Sequence, residues 1–255
     1  MSRRTTKALQ AALSALHYSG ADRLAAPLTR GDGVIFMLHQ VMPGARRGFD
    51  PNGILKVTPE FLDGVLRQVR DSGFEIISLD DVKARLHGEN SRCKPFAVFT
   101  LDDGYKDNRD FAYPVFKRHN APFTIYVPTA YADGHGELWW LAFEEALRRL
   151  PHVDVDCDGV VRSYSLATDA EKGRAFHELY WWLRKIPEER ARAVVRDLAS
   201  KAGFEVSALC RDLIMTWDEI RALAQDPLVT IAAHTTNHFA LAKLRPEDAR
   251  LEIAD

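Results

Sequence analysis

Residues 96–108, Phe96-Ala-Val-Phe-Thr-Leu-Asp-Asp-Gly-Tyr-Lys-Asp-Asn108, pass abruptly from an apolar tract into two acids, a glycine and a tyrosine. An unbroken apolar run of this kind reads as a strand buried on both faces. Such a strand delivers its polar residues at its C-terminal end, on the rim of a parallel sheet or barrel. The later stretch Val229-Thr-Ile-Ala-Ala-His-Thr-Thr-Asn-His238 does the same, ending an apolar run in ligand-type side chains. The rest of the chain reads as scaffold that brings these two strand ends together.

Working outward, Val34–Val41 is an apolar strand. A helix then opens with Thr58 as N-cap, Pro59 at its first position and Glu60 in its first turn. Its apolar face is Phe61, Leu62, Val65, Leu66 and Val69, and Gly73 ends it. A short strand (Phe74–Ser78) and a short helix (Asp80–Leu86, ending near Gly88) follow. Asn108–His119 reads as a helix distorted at Pro114, and Pro122–Pro128 as another buried strand. Alternating β and α segments predict a parallel sheet or a β/α barrel. Residues 131–213 break the rhythm with helices at 138–150, 169–186 and 187–202 and a hairpin within 153–166 turning at Asp158-Gly159. They read as a helical insertion between two successive strands. Thr216 and Glu219 form a capping box, the strand at 228–233 follows, and a last helix starts at Pro246.

The 255 residues are 46% apolar and 27% charged, with a net charge of −2, as in an ordinary globular domain without bulk attraction to nucleic acid. Cys93, Cys157 and Cys210 are odd in number and widely spaced, which predicts a reducing, cytoplasmic setting rather than a disulfide framework. Arg3, Arg4 and Lys7 precede an apolar stretch that Gln10, Ser14 and His17 interrupt, so it does not read as a signal peptide. Leu9, Leu13 and Leu16 instead recur at helical spacing. Residues 1–30 are expected to form an amphipathic helix packed on the domain that spans 31–255. Peripheral contact with the inner face of the membrane is the second reading.

Asp102, Asp103, His234 and His238 are the candidate chemistry. Two imidazoles and a carboxylate with positions left open suit a hydrolytic metal site. A helical turn after the second strand would bring both rings to one side. One acid would ligate and its neighbour would stay free as a base beside an activated water. Trp139, Trp140, Trp181 and Trp182 read as the core of the insertion rather than as a sugar-stacking surface. The Glu188-Glu-Arg-Ala-Arg192 and Arg148-Arg149 runs read as solvated helix faces.

Thr100-Leu-Asp-Asp-Gly-Tyr-Lys-Asp-Asn108 resembles the first motif, T-F-D-D-G-x-x-D-N, of the polysaccharide deacetylases, the NodB-like carbohydrate esterases of the family 4 type. His234-Thr-Thr-Asn-His238 resembles their second motif, H-[ST]-x-x-H. Met37–Val41 and Thr216–Ile220 also look like family segments, and the likeness covers residues 34–130 and 214–245. It implies a distorted, seven-stranded β/α barrel. It implies metal binding by Asp103, His234 and His238, with zinc first and cobalt, nickel or iron as alternatives. Asp102 would be the catalytic base, the backbone N–H of Tyr105 an oxyanion donor, and Thr235 a brace for the His loop.

The implied reaction is hydrolysis of N-acetyl amide bonds in a chitooligosaccharide or surface polysaccharide. A deformylase, an O-acetyl esterase and a non-catalytic glycan-binding module are the alternatives. The family's Arg-containing motif and L-x-H segment have no counterpart before Asp255. The expectation is therefore a barrel truncated at its C-terminus, without the orienting Arg and the general acid, either because the sequence is a fragment of a longer protein or because the site itself is incomplete. His39 reads as a hydrogen-bonded structural residue. Specificity falls to the loops 42–57 and 131–213, and oligomeric state has no signature.

Overall fold

The computed structural model describes residues 3–44, 48–87 and 94–254. Cys93 and Gly88 lie outside the described residues. Helices α1 (Arg3–Tyr18) and α2 (Ala21–Thr29) lead into β1 (Gly33–Leu38) and the two-residue strands β2 (Gln40–Val41) and β3 (Lys56–Val57). Then come α3 (Pro59–Asp71), β4 (Glu75–Ile76), α4 (Val82–His87), β5 (Phe96–Asp102), α5 (Tyr113–Arg118) and β6 (Phe123–Val127). The inserted segment holds α6 (Thr129–Ala132), α7 (Trp139–Arg149), β7 (His152–Cys157), β8 (Val160–Ser165), α8 (Asp169–Leu183), α9 (Glu188–Lys201) and α10 (Val206–Leu213). Helix α11 (Trp217–Leu223), β9 (Val229–Ala233) and α12 (Pro246–Ala254) complete the chain.

The sheet is parallel, in the order β1-β5-β6-β9, with β4 paired to the start of β5. Among the described residues this path is open. Strand β5 is buried along its whole length, as its apolar run requires. Phe36 of β1 stacks on Phe99 of β5, which meets Phe116 of α5 edge-on, so this face is covered by helices. On the other face of β1, Ile35 and Met37 are 51% and 62% exposed.

Local chemistry explains most element ends. Thr58 accepts from the Phe61 N–H and caps α3, whose buried side chains are Leu62, Leu66 and Val69; Phe61 faces solvent instead. The expected strand 34–41 breaks at His39, because Asp107 captures the Val41 N–H and the Gln40 side chain. The expected helix 108–119 begins as a π-helical turn over Asn108–Ala112, and α5 starts afresh with Pro114 in its first turn. Proline has no N–H for the ladder, so the register shifts there. The β7–β8 hairpin turns at Asp158-Gly159 with φ of 61° and 84°, both left-handed, as two-residue hairpin loops demand.

The insertion has its own apolar core around Trp139, Trp140, Phe143, Phe176 and Leu179, separate from the sheet core. Trp139 and Trp140 are core residues as expected, but Trp181 is 47% exposed. The Glu188–Arg192 run is not a solvated face: both of its end residues are buried and ion-paired to each other. Residues 3–29 form two helices, and Leu9, Leu13 and Leu16 are about half exposed.

Candidate metal centre

Asp102 is the last residue of β5 and pairs with Tyr126 across the sheet. The chain then turns through two left-handed residues, Asp103 at φ 74° and Gly104 at φ 72°. Gly104 is required twice over. Its φ disfavours a side chain, and a Cβ there would stand 3.2 Å from Val127 Cγ2. The turn aims Asp103 inward, where it is fully buried.

His234 follows β9, and its N–H donates to the Val127 carbonyl at 3.1 Å. The segment 234–238 is a loop, not the expected helical turn. Thr235 and His238 are left-handed at φ 64° and 58°, which no helix accommodates. Thr235 Oγ1 accepts from the His238 N–H at 3.2 Å and closes the loop. The rings still converge, with centroids 4.8 Å apart.

His238 Nε2 lies 3.4 Å and His234 Nε2 3.9 Å from Asp103 Oδ1. One donor atom from each of the three residues lies within 4.8 Å of the other two. Donors about 2 Å from one tetrahedral ion stand roughly 3.3 Å apart, so small side-chain adjustments suffice. The donor set fits a cation for a second reason. Both Asp103 carboxylate oxygens are buried without a hydrogen-bond partner, and such orphans are rare without a ligand to satisfy them.

Electrostatics agree. Burial, aided by the neighbouring Asp102 charge and opposed by the Tyr105 hydroxyl, pushes the Asp103 carboxyl up to about 7. Burial pushes the His238 imidazole down to about 3, with the charges of His234 and Arg192 adding to it. The Asp103–His238 contact is therefore close in distance but is not an ion pair at neutral pH, because the imidazole is uncharged. Asp102 is also raised by burial, partly offset by His234 and His39.

His39, read from the sequence as a structural residue at a strand end, lies near Asp102 and His234. Burial lowers its imidazole, the nearby Asp102 charge raises it in part and His234 lowers it further. The register explains the placement: Leu38 pairs with Leu101, which sets His39 beside Asp102 on the same rim. That signal was available in the sequence, since Met37-Leu-His39 and Leu101-Asp102 both end apolar strands. The first motif secures this neighbour. Asp107 accepts from Val41 N–H and Gln40, and Asn108 Nδ2 donates to the His39 carbonyl at 2.8 Å. Burial pushes Asp107 up to about 7 despite these bonds.

The insertion forms one wall. Tyr131 and Trp140 lie against the His238 ring, with centroids at 6.0 and 5.2 Å. Trp139 meets Trp140 edge-on and stacks on Tyr180. Beyond them, Trp181, Tyr180, His177, Arg174 and Asn52 line a surface cavity of about 1080 Å3.

Residues 89–255 match the polysaccharide deacetylase family. The Bacillus subtilis (strain 168) protein YxkH, named for a polysaccharide deacetylase, is 25% identical over 93 residues, covering 36% of this chain and 30% of that protein. Among solved structures, the Streptococcus pyogenes deacetylase PplD in complex with acetate is 16% identical with a TM-score of 0.48, over 87% of this chain and 64% of that one. IcaB from Ammonifex degensii is 17% identical with a TM-score of 0.46, over the same shares. The chain thus spans less than a third of the Bacillus protein's length.

Proposed function

The chain belongs to the polysaccharide deacetylase family, and on that premise we propose that it is a metal-dependent hydrolase removing N-acetyl groups from an N-acetylated sugar polymer or oligosaccharide. The observation that carries this is the convergence of Asp103, His234 and His238, with orphaned buried acceptors, beside a second buried acid. Asp103 and the two imidazoles would hold the ion. Zinc is the first assignment, and cobalt, nickel or iron suit the same donors. When bound, the ion supplies Lewis acidity, acidifying water and polarising the acetyl carbonyl.

The chain's own residues do the rest. Asp102 takes the proton of the attacking water; burial raises its carboxyl toward the working pH, which improves a general base. The backbone N–H of Tyr105 follows the left-handed turn and is the donor assigned to the developing oxyanion. His39 stands on the far side of Asp102 from β6 and returns a proton to the leaving amine. Burial lowers its imidazole overall, so its proton is given up readily, and the Asp102 carboxylate offsets part of that shift.

The same reading makes the parallel sheet part of a distorted seven-stranded barrel. The exposed Ile35 and Met37, on the face of β1 away from the helices, support this as residues that a closed interior would cover. The exposed Leu9, Leu13 and Leu16 support a peripheral contact with a membrane surface.

The test is acetate release from N-acetylchitopentaose by zinc-loaded protein, with Asp103→Ala as control. Acetate from wild type alone supports the reading. Turnover confined to N-formyl or O-acetyl substrates would move the protein to the deformylase or esterase alternative. Bound metal with glycan binding and no turnover would make it a binding module.

A further inference from the structure

The loop that carries His238 is gripped from two sides by buried charges that belong to neither motif. From α12, Glu252 reaches back to it. Its Oε1 accepts from the Asn237 N–H at 2.6 Å and the Phe239 N–H at 3.3 Å, and its Oε2 accepts from Asn237 Nδ2 at 3.0 Å. The Glu252 carbonyl also accepts from the Thr236 N–H at 3.0 Å. From α9 in the insertion comes Arg192, 1% exposed. Its Nη2 donates to the His238 carbonyl at 3.3 Å and its Nη1 to the Glu137 carbonyl at 2.6 Å. Its Nε donates to Glu188 at 3.3 Å, and the guanidinium lies 5.1 Å from the Phe239 ring centroid.

Both backbone polar groups of His238 and the N–H groups flanking it are therefore committed. Its N–H goes to Thr235, its carbonyl to Arg192, and the N–H groups on either side of it to Glu252. This matters because His238 is left-handed, a state disfavoured for any residue with a side chain. Released, the loop would relax to negative φ and carry the imidazole away from Asp103.

We propose that Arg192 and Glu252 are positioning residues that hold His238 against the metal, so that metal retention depends on the insertion helix α9 and on α12. The proposal rests on the metal-centre reading above. Groups that orient a metal ligand typically change metal affinity about 10–100-fold when altered. Glu252→Gln keeps the shape but puts an NH2 where an acceptor faces N–H donors. Arg192→Lys keeps the charge but cannot bond the His238 carbonyl, the Glu137 carbonyl and Glu188 together. Lys243→Met is the control, since Lys243 pairs with Glu188 and does not touch His238.

The experiment uses the full chain stripped of metal. Zn2+ affinity is measured by competition with a chelating dye, and the visible absorption of the Co2+-loaded protein reports ligand geometry. Thermal unfolding of the metal-free forms runs alongside. The expected result is a loss of about 10–100-fold in Zn2+ affinity for Glu252→Gln and Arg192→Lys, with altered Co2+ bands and Lys243→Met unchanged. Wild-type affinity and spectra in both variants would overturn the proposal while leaving the metal centre intact. So would a loss shared by Lys243→Met, which would make the effect one of general stability. A wild-type chain that binds no Zn2+ would overturn the metal centre and the proposal together.

Discussion

Asp103→Asn is expected to stabilise the metal-free protein at neutral pH while abolishing metal binding. Asp103 is fully buried, neither of its oxygens has a hydrogen-bond partner, and its carboxyl is pushed from 3.8 to about 7. In the unfolded chain the group ionises near 3.8, whereas the folded protein keeps its proton until pH climbs toward about 7. Between those values the folded state binds more protons, so stability falls as pH rises. A displacement of about three pH units corresponds to roughly 4 kcal/mol lost by about pH 7. Asparagine carries no charge, and its buried amide costs about 1–3 kcal/mol if unpartnered. The net gain is about 1–3 kcal/mol, or on the order of 2–10 °C in Tm for a chain of this size.

The assay is thermal unfolding of chelator-treated wild type and variant from about pH 4 to about pH 7.5, a window set by the Asp103 shift. The variant's advantage should grow with pH and fade toward pH 4. Excess Zn2+ should reverse the order, since only wild type gains binding energy, about 2.7 kcal/mol at a hundred times Kd. A variant that melts below metal-free wild type at neutral pH would refute the reasoning. It would mean that His234 or His238 is protonated and pairs with Asp103, contrary to the burial that drives His238 down to about 3.

Asp102→Asn should leave Zn2+ affinity within a few fold and lower acetate release about 10²–10⁴-fold, the usual worth of a general base; a dye titration beside a rate measurement separates the two. For His39→Gln, kcat should drop about 100-fold with KM unchanged, and the alkaline limb of the pH–rate profile should flatten. Equal losses of metal binding would instead make His39 a structural support. Removing residues 1–29 should leave the Tm unchanged within about 2 °C, because these helices bury little against the sheet. The same deletion should end co-sedimentation with phosphatidylglycerol vesicles, to which Arg3, Arg4, Lys7 and Arg23 would be drawn.

What could be read in advance follows the range of the interactions. Strands β5 and β6 announced themselves because a strand buried on both faces must be apolar throughout; β9 was legible from its apolar run although only Val229 in it is buried, and the ligands sit where β5 and β9 stop. Caps at Thr58 and Thr216 and the Asp158-Gly159 turn were legible because their chemistry is local. Arg192 was not: in the run Glu188–Arg192 the sequence has the spacing of an exposed helix pair, and only the approach of Glu137 and His238 buries it. Glu252 had no signal either, since its partners lie 13–16 residues earlier in an irregular loop. The break at His39 was hidden because it depends on Asp107, 66–67 residues later. The closed barrel and its seven strands remain part of the functional proposal, whereas the parallel α/β sheet is seen directly.

The register of β6 with β9 has a kinetic consequence. Phe123 pairs with Val229, so the ladder joins segments about 100 residues apart in the chain. Bringing such distant ends together is entropically slow unless the intervening chain has already shortened itself. The inserted segment can do so, because its core closes largely from its own residues. Strand β9 would then dock late, and His234, His238 and Asp103 would meet only after it. During refolding, the capacity to bind Zn2+ should therefore lag behind the recovery of helical signal, and metal uptake would report the last step of assembly rather than the first.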